Sequence, residues 1–310
     1  MKVHLDTDLG TELDDLAALV MLLGAADVEL TGITTSIDPG GRRAGYVGHV
    51  LGLADRRDVP VAAGAEVSLT TRTTPGGFPP DDRRWPEPVS PVPGPVGSAL
   101  GLLADSIGAG ATIVVVGPST NLGLLGVERP GLLAHAEVVM MGGWFDLPAV
   151  DLPPWGPDRD WNVQCDTGAA VTLVGGAAAV TMVPIPLTLR VHLRRVHVDR
   201  LRASGPLGRL IAFQAERHGA EEANHEVGRA HPGLPDDLLN FQHDPLTCAA
   251  ALGWASVFFE RRRVTPVLDH EVLRFADDPH GGPVRVAVGV DADAFTADWF
   301  DAVEAADRRA

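Results

Sequence analysis

Apolar and polar residues alternate through Val3-His4-Leu5-Asp6, and the apolar positions then shift to helical spacing at Leu13, Leu16, Ala17, Val20 and Leu23. The first run predicts a strand and the second a helix, joined by a turn at Gly10. Thr11, three residues before Asp14, is the expected N-cap. A β-branched run over 28–35 predicts a second strand, the turn residues 38–41 follow, and a helix over 42–54 leads to a short strand at 59–63. The same rhythm returns with a helix over 96–107, a buried strand over 112–116 and a helix opening at Ser119 or Thr120. Strands over 137–141 and 179–183 flank a small-residue helix over 167–173. Asp244 and Pro245 predict a further helix start, with Asp244 as cap and Pro245 at its first position. Two strand-like runs, 264–268 and 284–290, precede an amphipathic terminal helix over 293–306. Strands alternating with helices in this way predict an α/β fold, a mostly parallel central sheet flanked by helices.

Two stretches interrupt the rhythm. Residues 74–95 hold eight prolines around Asp81-Asp82-Arg83-Arg84-Trp85, which reads either as a disordered surface loop or as a lid over a site. Residues 190–240 are polar, His- and Arg-rich and helical in pattern, a helical insertion that no linker sets apart. The 310 residues therefore read as a single domain, without an internal repeat.

Charge narrows the function. The net charge is −16, and Lys2 is the one lysine in a chain otherwise served by arginine. Phosphate-backbone binding needs basic surface, so a nucleic-acid partner is not expected. No apolar run is long enough to span a membrane, and the chain enters its first strand without a basic and apolar leader, so a cytoplasmic protein is expected. Cys165 and Cys248 are isolated, which argues against both a disulfide framework and a zinc site.

Chemistry concentrates at predicted strand ends. Asp6, Asp8, Asp14 and Asp15 crowd one strand-to-helix crevice, where like charges raise one another's pKa or require a cation. Oxygen donors without cysteine favour calcium or magnesium. Thr35, Asp38, Thr120, Asn121, Gly142 and Gly143 fall at other strand ends, with Asp160, Asn162, His243 and Asp244 in loops. In a parallel α/β sheet the carboxyl ends share one edge, where ligands bind. Asp6-Thr7-Asp8-Leu9-Gly10-Thr11 nearly matches the signature of haloacid dehalogenase-type phosphatases, but that chemistry needs a cationic side chain on the phosphoryl group, and Lys2 lies upstream. The competing class is a metal-assisted hydrolase of a neutral, hydroxyl-rich substrate.

The opening stretch from Val3 to Asp15, Gly32-Ile33-Thr34-Thr35, Gly117-Pro118-Ser119-Thr120-Asn121-Leu122, Val139-Met140-Met141-Gly142-Gly143, Asp160-Trp161-Asn162 with Asp166 and Ala169-Ala170, and His243-Asp244-Pro245 together resemble the inosine/uridine-preferring nucleoside hydrolases. They occur in that family's order over about residues 1–255. The resemblance implies calcium held by Asp8, Asp15, the main-chain carbonyl of Thr120 and Asp244. Asp8 would be the general base and His243 would border the leaving base as a possible proton donor. Asp14, Met141, Asp160 and Asn162 would meet the ribose of a nucleoside substrate, and the chain would assemble as a homodimer or homotetramer. Plainer alternatives stand beside these roles: Asp14 as a first-turn helix acid, Asn162 as a turn residue, Thr120 and Asn121 as a helix cap, His243 as a packing histidine, and Met141 as core. A calcium-dependent nucleoside- or sugar-binding protein without catalysis would use the same ligands.

Departures from the family pattern fall on the substrate side. Two extra residues separate Asp8 from Asp14, and Ser36-Ile37-Asp38-Pro39 replaces the usual Gly-Asn or Gly-Asp, so Asp38 is the candidate to replace the ribose contact. The usual Glu is shortened to Asp160, and residues 76–81 replace a His- and Gly-rich segment. Retained hydrolytic chemistry on an unusual nucleoside is the resulting expectation, with common purine and pyrimidine nucleosides as poor substrates.

Overall fold

The computed structural model describes residues 1–78, 81–147 and 149–310, so Pro79 and Pro80 of the proline-rich stretch lie outside the described residues. The strands are β1 (Lys2–Thr7), β2 (Glu29–Thr35), β3 (Val61–Ala63), β4 (Thr112–Val115), β5 (Glu137–Met141), β6 (Ala179–Val183), β7 (His192–Arg194), β8 (Leu238–Phe241), β9 (Val257–Asp269), β10 (Val272–Asp277) and β11 (Gly282–Val290). The helices are α1 (Asp14–Gly24), α2 (Arg42–Leu53), α3 (Asp81–Arg84), α4 (Val96–Gly108), α5 (Thr120–Glu128), α6 (Trp161–Cys165), α7 (Thr167–Gly176), α8 (Ile185–Thr188), α9 (Val198–Ser204), α10 (Pro206–Glu221), α11 (Asn224–Ala230), α12 (His243–Leu252) and α13 (Ala292–Arg309).

Among the described residues the central sheet has nine strands in the order β10-β9-β11-β6-β5-β4-β1-β2-β3. From β11 to β3 every pairing is parallel, and the two antiparallel pairings, β11 with β9 and β9 with β10, lie at one edge. The sheet is mostly parallel and flanked by helices, as the periodicity predicts. The excursion after β6 is mainly helical, but β7 and β8 pair across it as a separate antiparallel ribbon. The alternation of Val3 and Leu5 with His4 and Asp6 sends the first pair into the core layer shared with α1, α12 and α13. His4 and Asp6 point to the other face, where Ser106 and Thr34 bond the His4 ring and Thr34 and Asn121 donate to Asp6 Oδ1, while Asp6 Oδ2 is buried without a hydrogen-bond partner among the described residues. Ile113, Val115, Val138 and Met140 fill that second layer.

Helix α1 is buried along its whole length, between α13 and α12. Each fully buried Leu of this kind contributes about 1.5–3 kcal/mol. Its start differs from expectation: the helix begins at Asp14 with no side-chain cap, so Thr11 does not cap it. Helix α12 likewise begins at His243, which places Asp244 inside the first turn rather than at the cap.

The strand order reverses at β1, with β2 on one side and β4 on the other. The carboxyl ends on either side of such a reversal leave a crevice that no crossover helix covers. Asp8 follows β1 at this point, and Gly117 lies just beyond β4. A Cβ at Gly117 would stand 2.8 Å from both the main-chain N and the Oδ1 of Asp8, so this close approach requires glycine.

Candidate active site

A cavity of about 610 Å³ opens at the reversal. Its floor is made by the N-terminal turns of α1 and α12. Asp14, Asp15 and Asp244 each place a carboxylate oxygen within 4.8 Å of the others, and all three are buried. The Asp14 carboxylate accepts the main-chain N–H groups of His243 and Asp244, which locks the two helix starts together. Thr7 donates its hydroxyl to Asp15 Oδ1. The positive ends of two helix dipoles thus meet at this point, but they offset only part of the negative charge. Burial and mutual repulsion push Asp14 up to about 7, and Asp15 and Asp244 well above the ordinary carboxylate range.

Asp8 borders the cluster, and its charge acts on all three members. Burial raises its pKa, while Arg43 and a hydrogen bond from Trp161 pull it down. Trp161 Nε1 lies 3.3 Å from Asp8 Oδ2. The buried Arg43 guanidinium donates to the main-chain oxygen of Asp8 and lies 3.9 Å from its carboxylate. A set of buried carboxylates, all offering oxygen, fits a hard divalent cation, which would remove the repulsion that holds these pKa values up.

Asn162 and Met141 line the cavity. Asn162 Nδ2 donates to the carbonyl of Val116, another lining residue, at 2.8 Å. His243 also lines it, with Nδ1 at hydrogen-bond distance from Thr188 Oγ1. Thr188 Oγ1 also lies 3.1 Å from Ile185 O, so the tautomer of His243 is set by which of the two receives the single Thr188 hydroxyl proton. Burial pulls this imidazole down to about 4, so near neutral pH the ring is uncharged and carries one N–H and one lone pair.

Three expected site residues are placed elsewhere. Both carboxylate oxygens of Asp38 are taken up by Thr35 Oγ1 and by the main-chain N–H groups of Arg43 and Ala44. It ties down the first turn of α2 and does not line the cavity; the cavity residue from this region is Arg43. Asp160 caps α6 by accepting from Val163 N at 3.1 Å and also accepts Gly143 N. Thr120 does not reach the cavity, and its hydroxyl donates to Asp166, which also ties down Leu69 and Thr70. The lining residue from this turn is Val116, four residues earlier.

The proline-rich stretch is a structured contributor where it is described. Pro75, Gly76 and Gly77 line the cavity, and Trp85 is buried in a stack on Tyr46 with ring centroids 4.4 Å apart. The wall facing α10 and α11 holds Glu12 and His218, neither of which the sequence motifs single out. Burial and the charges of Asp14 and Glu222 push Glu12 up to about 8 against the pull of Arg84. Its side chain is nevertheless 55% exposed, so solvent in the cavity favours the ionised form, as would a cation among the aspartates. The one available signal for Glu12 is the pair of extra residues between Asp8 and Asp14. Arg43 has no comparable signal, because helical periodicity does not show that a buried arginine faces a strand end.

Lys2 is exposed at the opposite end of β1 from Asp8, about 20 Å away at the rise of a strand. Lys2 therefore does not serve as the cation that the phosphatase reading needs. Among the described residues no helix is long and apolar enough to cross a membrane.

Residues 3–297 match the model of the inosine-uridine preferring nucleoside hydrolase family. The pyrimidine-specific ribonucleoside hydrolase RihA of Salmonella agona is 29% identical over 236 residues, covering 72% of this chain and 74% of that protein. A plant nucleoside hydrolase, PpNRh1, superposes with a TM-score of 0.79 at 22% identity, covering 97% of this chain and 98% of its own. A purine-preferring ribonucleoside hydrolase from Gardnerella vaginalis superposes with a TM-score of 0.77 at 22% identity over the full length of both chains. A family model spanning nearly the whole chain, a fold shared end to end and a buried carboxylate cluster at the sheet's reversal agree: the chain belongs to the inosine-uridine preferring nucleoside hydrolase family, enzymes that hydrolyse the N-glycosidic bond of ribonucleosides.

Proposed function

We propose that this hydrolysis depends on Ca2+ held by Asp8, Asp15 and Asp244, with the main-chain oxygen contributed by Val116 rather than Thr120. The observation that carries the reading is the meeting of buried carboxylates at the cavity floor. Bound there, the ion would supply a water that loses its proton more readily. Asp8 is the base, with Oδ2 oriented by Trp161 Nε1. Asp14 spends only part of its capacity on the α12 N–H groups, since a carboxylate has roughly four acceptor sites, and the remainder serves ribose hydroxyls. Asn162 has committed Nδ2 to Val116, which leaves Oδ1 for a hydroxyl. Met141 packs against the sugar. Asp160 acts indirectly, by fixing the helix start that carries Asn162. Holding the ribose in this way positions C1′ and favours the oxocarbenium-like transition state.

Ribose release, measured as reducing sugar across a nucleoside panel, tests the reading. Activity lost to a chelator and restored by Ca2+ is the expected result; turnover unaffected by chelation overturns the calcium assignment. Poor turnover of common purine and pyrimidine nucleosides belongs to the same proposal, on the ground that Arg43 occupies the cavity wall where Asp38 was expected to act. Robust hydrolysis of inosine or uridine would refute it. Assembly as a homodimer or homotetramer completes the proposal and is read by light scattering.

A further inference from the structure

We propose that Glu12, oriented by His218 and Arg84, selects the leaving base and prefers bases that present an amino group over their carbonyl counterparts. The inference rests on the ribonucleoside reading and adds to it the class of base.

Three elements hold Glu12 in place. His218, on α10, is 2% exposed, and its Nε2 lies 3.1 Å from Glu12 Oε2. On the other side of the ring Arg84, at the end of α3, gives an N–H to Nδ1. A guanidinium has no lone pair to offer, so Nδ1 must be the acceptor. The neutral imidazole then carries its proton on Nε2 and donates it toward Glu12. Asn240 also hydrogen-bonds this ring. Arg84 is anchored in turn, with Nη2 2.9 Å from Glu221 Oε2. A buried arginine and a buried histidine are costly to desolvate, and neither is needed by the aspartate cluster. Their joint effect is to fix one oxygen of a side chain that stands half exposed on the cavity wall, leaving Oε1 for a ligand.

The surroundings repeat the same polarity. Glu222 adds a second negative charge beside Glu12. Asn224 donates Nδ2 to Leu239 O at 2.8 Å, so Oδ1 remains as an acceptor on the cavity wall. A carbonyl edge would bring lone pairs against these acceptors, whereas an amino group would pair with them. Glu12 lines the same cavity as Asp14 and Asn162, which the ribonucleoside reading gives to the sugar, so the part of the lining that Glu12 shares with α10 and α11 is assigned to the base.

The experiment uses the purified full chain with Ca2+ and two matched pairs, cytidine with uridine and adenosine with inosine, which differ by an amino group in place of a carbonyl. The expected ratio of kcat/KM, amino over carbonyl, is about tenfold or more, below the larger discrimination of fully enclosed polar sites. Glu12→Ala should bring the ratio near unity. Glu12→Gln should invert it, because the His218 proton then claims the amide oxygen and the amide N–H₂ faces the base. A role confined to stability would not invert a ratio taken within one enzyme. The proposal is overturned if the parent shows no preference or favours the carbonyl member, or if the ratio survives Glu12→Ala. Should ribose release fail for every nucleoside, the hydrolytic reading falls, and the same ratios measured as Kd by calorimetry still decide the base preference.

Discussion

The floor of the cavity and its α10–α11 wall are built in opposite ways. The floor draws Asp8, Asp14, Asp15 and Asp244 from strand ends and first helical turns, where the backbone itself positions them and supplies N–H groups to Asp14. The wall borrows Glu12 from a loop and holds it with His218 and Arg84, side chains reaching from two other elements. The floor is rigid because it cannot change without moving the sheet edge. The wall can be altered by changing a loop length or one helix. Conserving chemistry while varying the leaving base requires this division: a cation site tolerates little displacement, whereas base recognition is a matter of donors and acceptors that loops can rearrange.

The largest expected effect falls on the floor. Asp8→Ala removes both a base and an ion ligand and should lower kcat/KM by about 10³-fold or more. A loss within about tenfold, ~1.4 kcal/mol in barrier, would show that Asp8 is not the base and would remove the contrast with the wall. Asp244→Asn comes next. It keeps the shape and removes one charge, so calcium affinity, read by calorimetry, should fall by about 10²-fold, roughly 2.7 kcal/mol. Unchanged affinity would take Asp244 out of the ligand set.

A third measurement concerns pH and needs no substitution. In calcium-free protein Asp6 and Asp14 keep their protons in the fold up to about 7, chiefly because of burial. Unfolded aspartates lose theirs near pH ~4. Between these limits the folded chain binds more protons than the unfolded one, so its stability falls as pH rises. Calcium requires ionised carboxylates, so its stabilisation grows in the same direction, reaching about 2.7 kcal/mol at an ion concentration a hundred times Kd. The Tm of chelated protein should fall from about pH 5 to 8 while the calcium-induced gain widens. A calcium gain that stays constant over that range would mean the cluster is already ionised without the ion.

The smallest effect belongs to the boundary between the two regions. Trp161→Phe removes the N–H from Asp8 Oδ2. Its cost should be about 0.5–1.5 kcal/mol, roughly three- to tenfold in kcat with KM little changed. A rise in KM alone would move Trp161 from the floor to base recognition.

Much of the fold was legible. The switch from alternation to helical spacing at Leu13 placed β1 and α1, and the apolar runs ending near Val116 and Met141 placed β4 and β5. Those runs are buried on both faces, so each strand announces itself locally. β7, β8 and β10 were not anticipated. Pairing across the helical excursion creates the first two, and β10 exists by pairing with β9. In the site, Asp8, Asp14, Asp15 and Asp244 were readable and do converge at the cavity. Asp38 at a strand end and Asp160 in a loop carried suitable chemistry, yet the backbone of α2 and the start of α6 claim their side chains, and Thr120, whose carbonyl was the expected ligand, does not line the cavity. A polar residue at a strand end has two customers, a ligand and the nearest helix terminus, and spacing alone does not say which one it serves.

By itself the sequence determined the α/β alternation, the carboxylates at β1 and α12, and the family, because each is written in short-range pattern and order. The tertiary structure alone decided that Arg43 rather than Asp38, and Val116 rather than Thr120, line the cavity, and that burial leaves the His243 ring uncharged near neutral pH. It also decided that Glu12 is held on the wall by residues 72 and 206 positions away in the chain, Arg84 and His218. Those outcomes depend on which helix terminus captures which side chain and on contacts between elements far apart in sequence, and neither leaves a local trace.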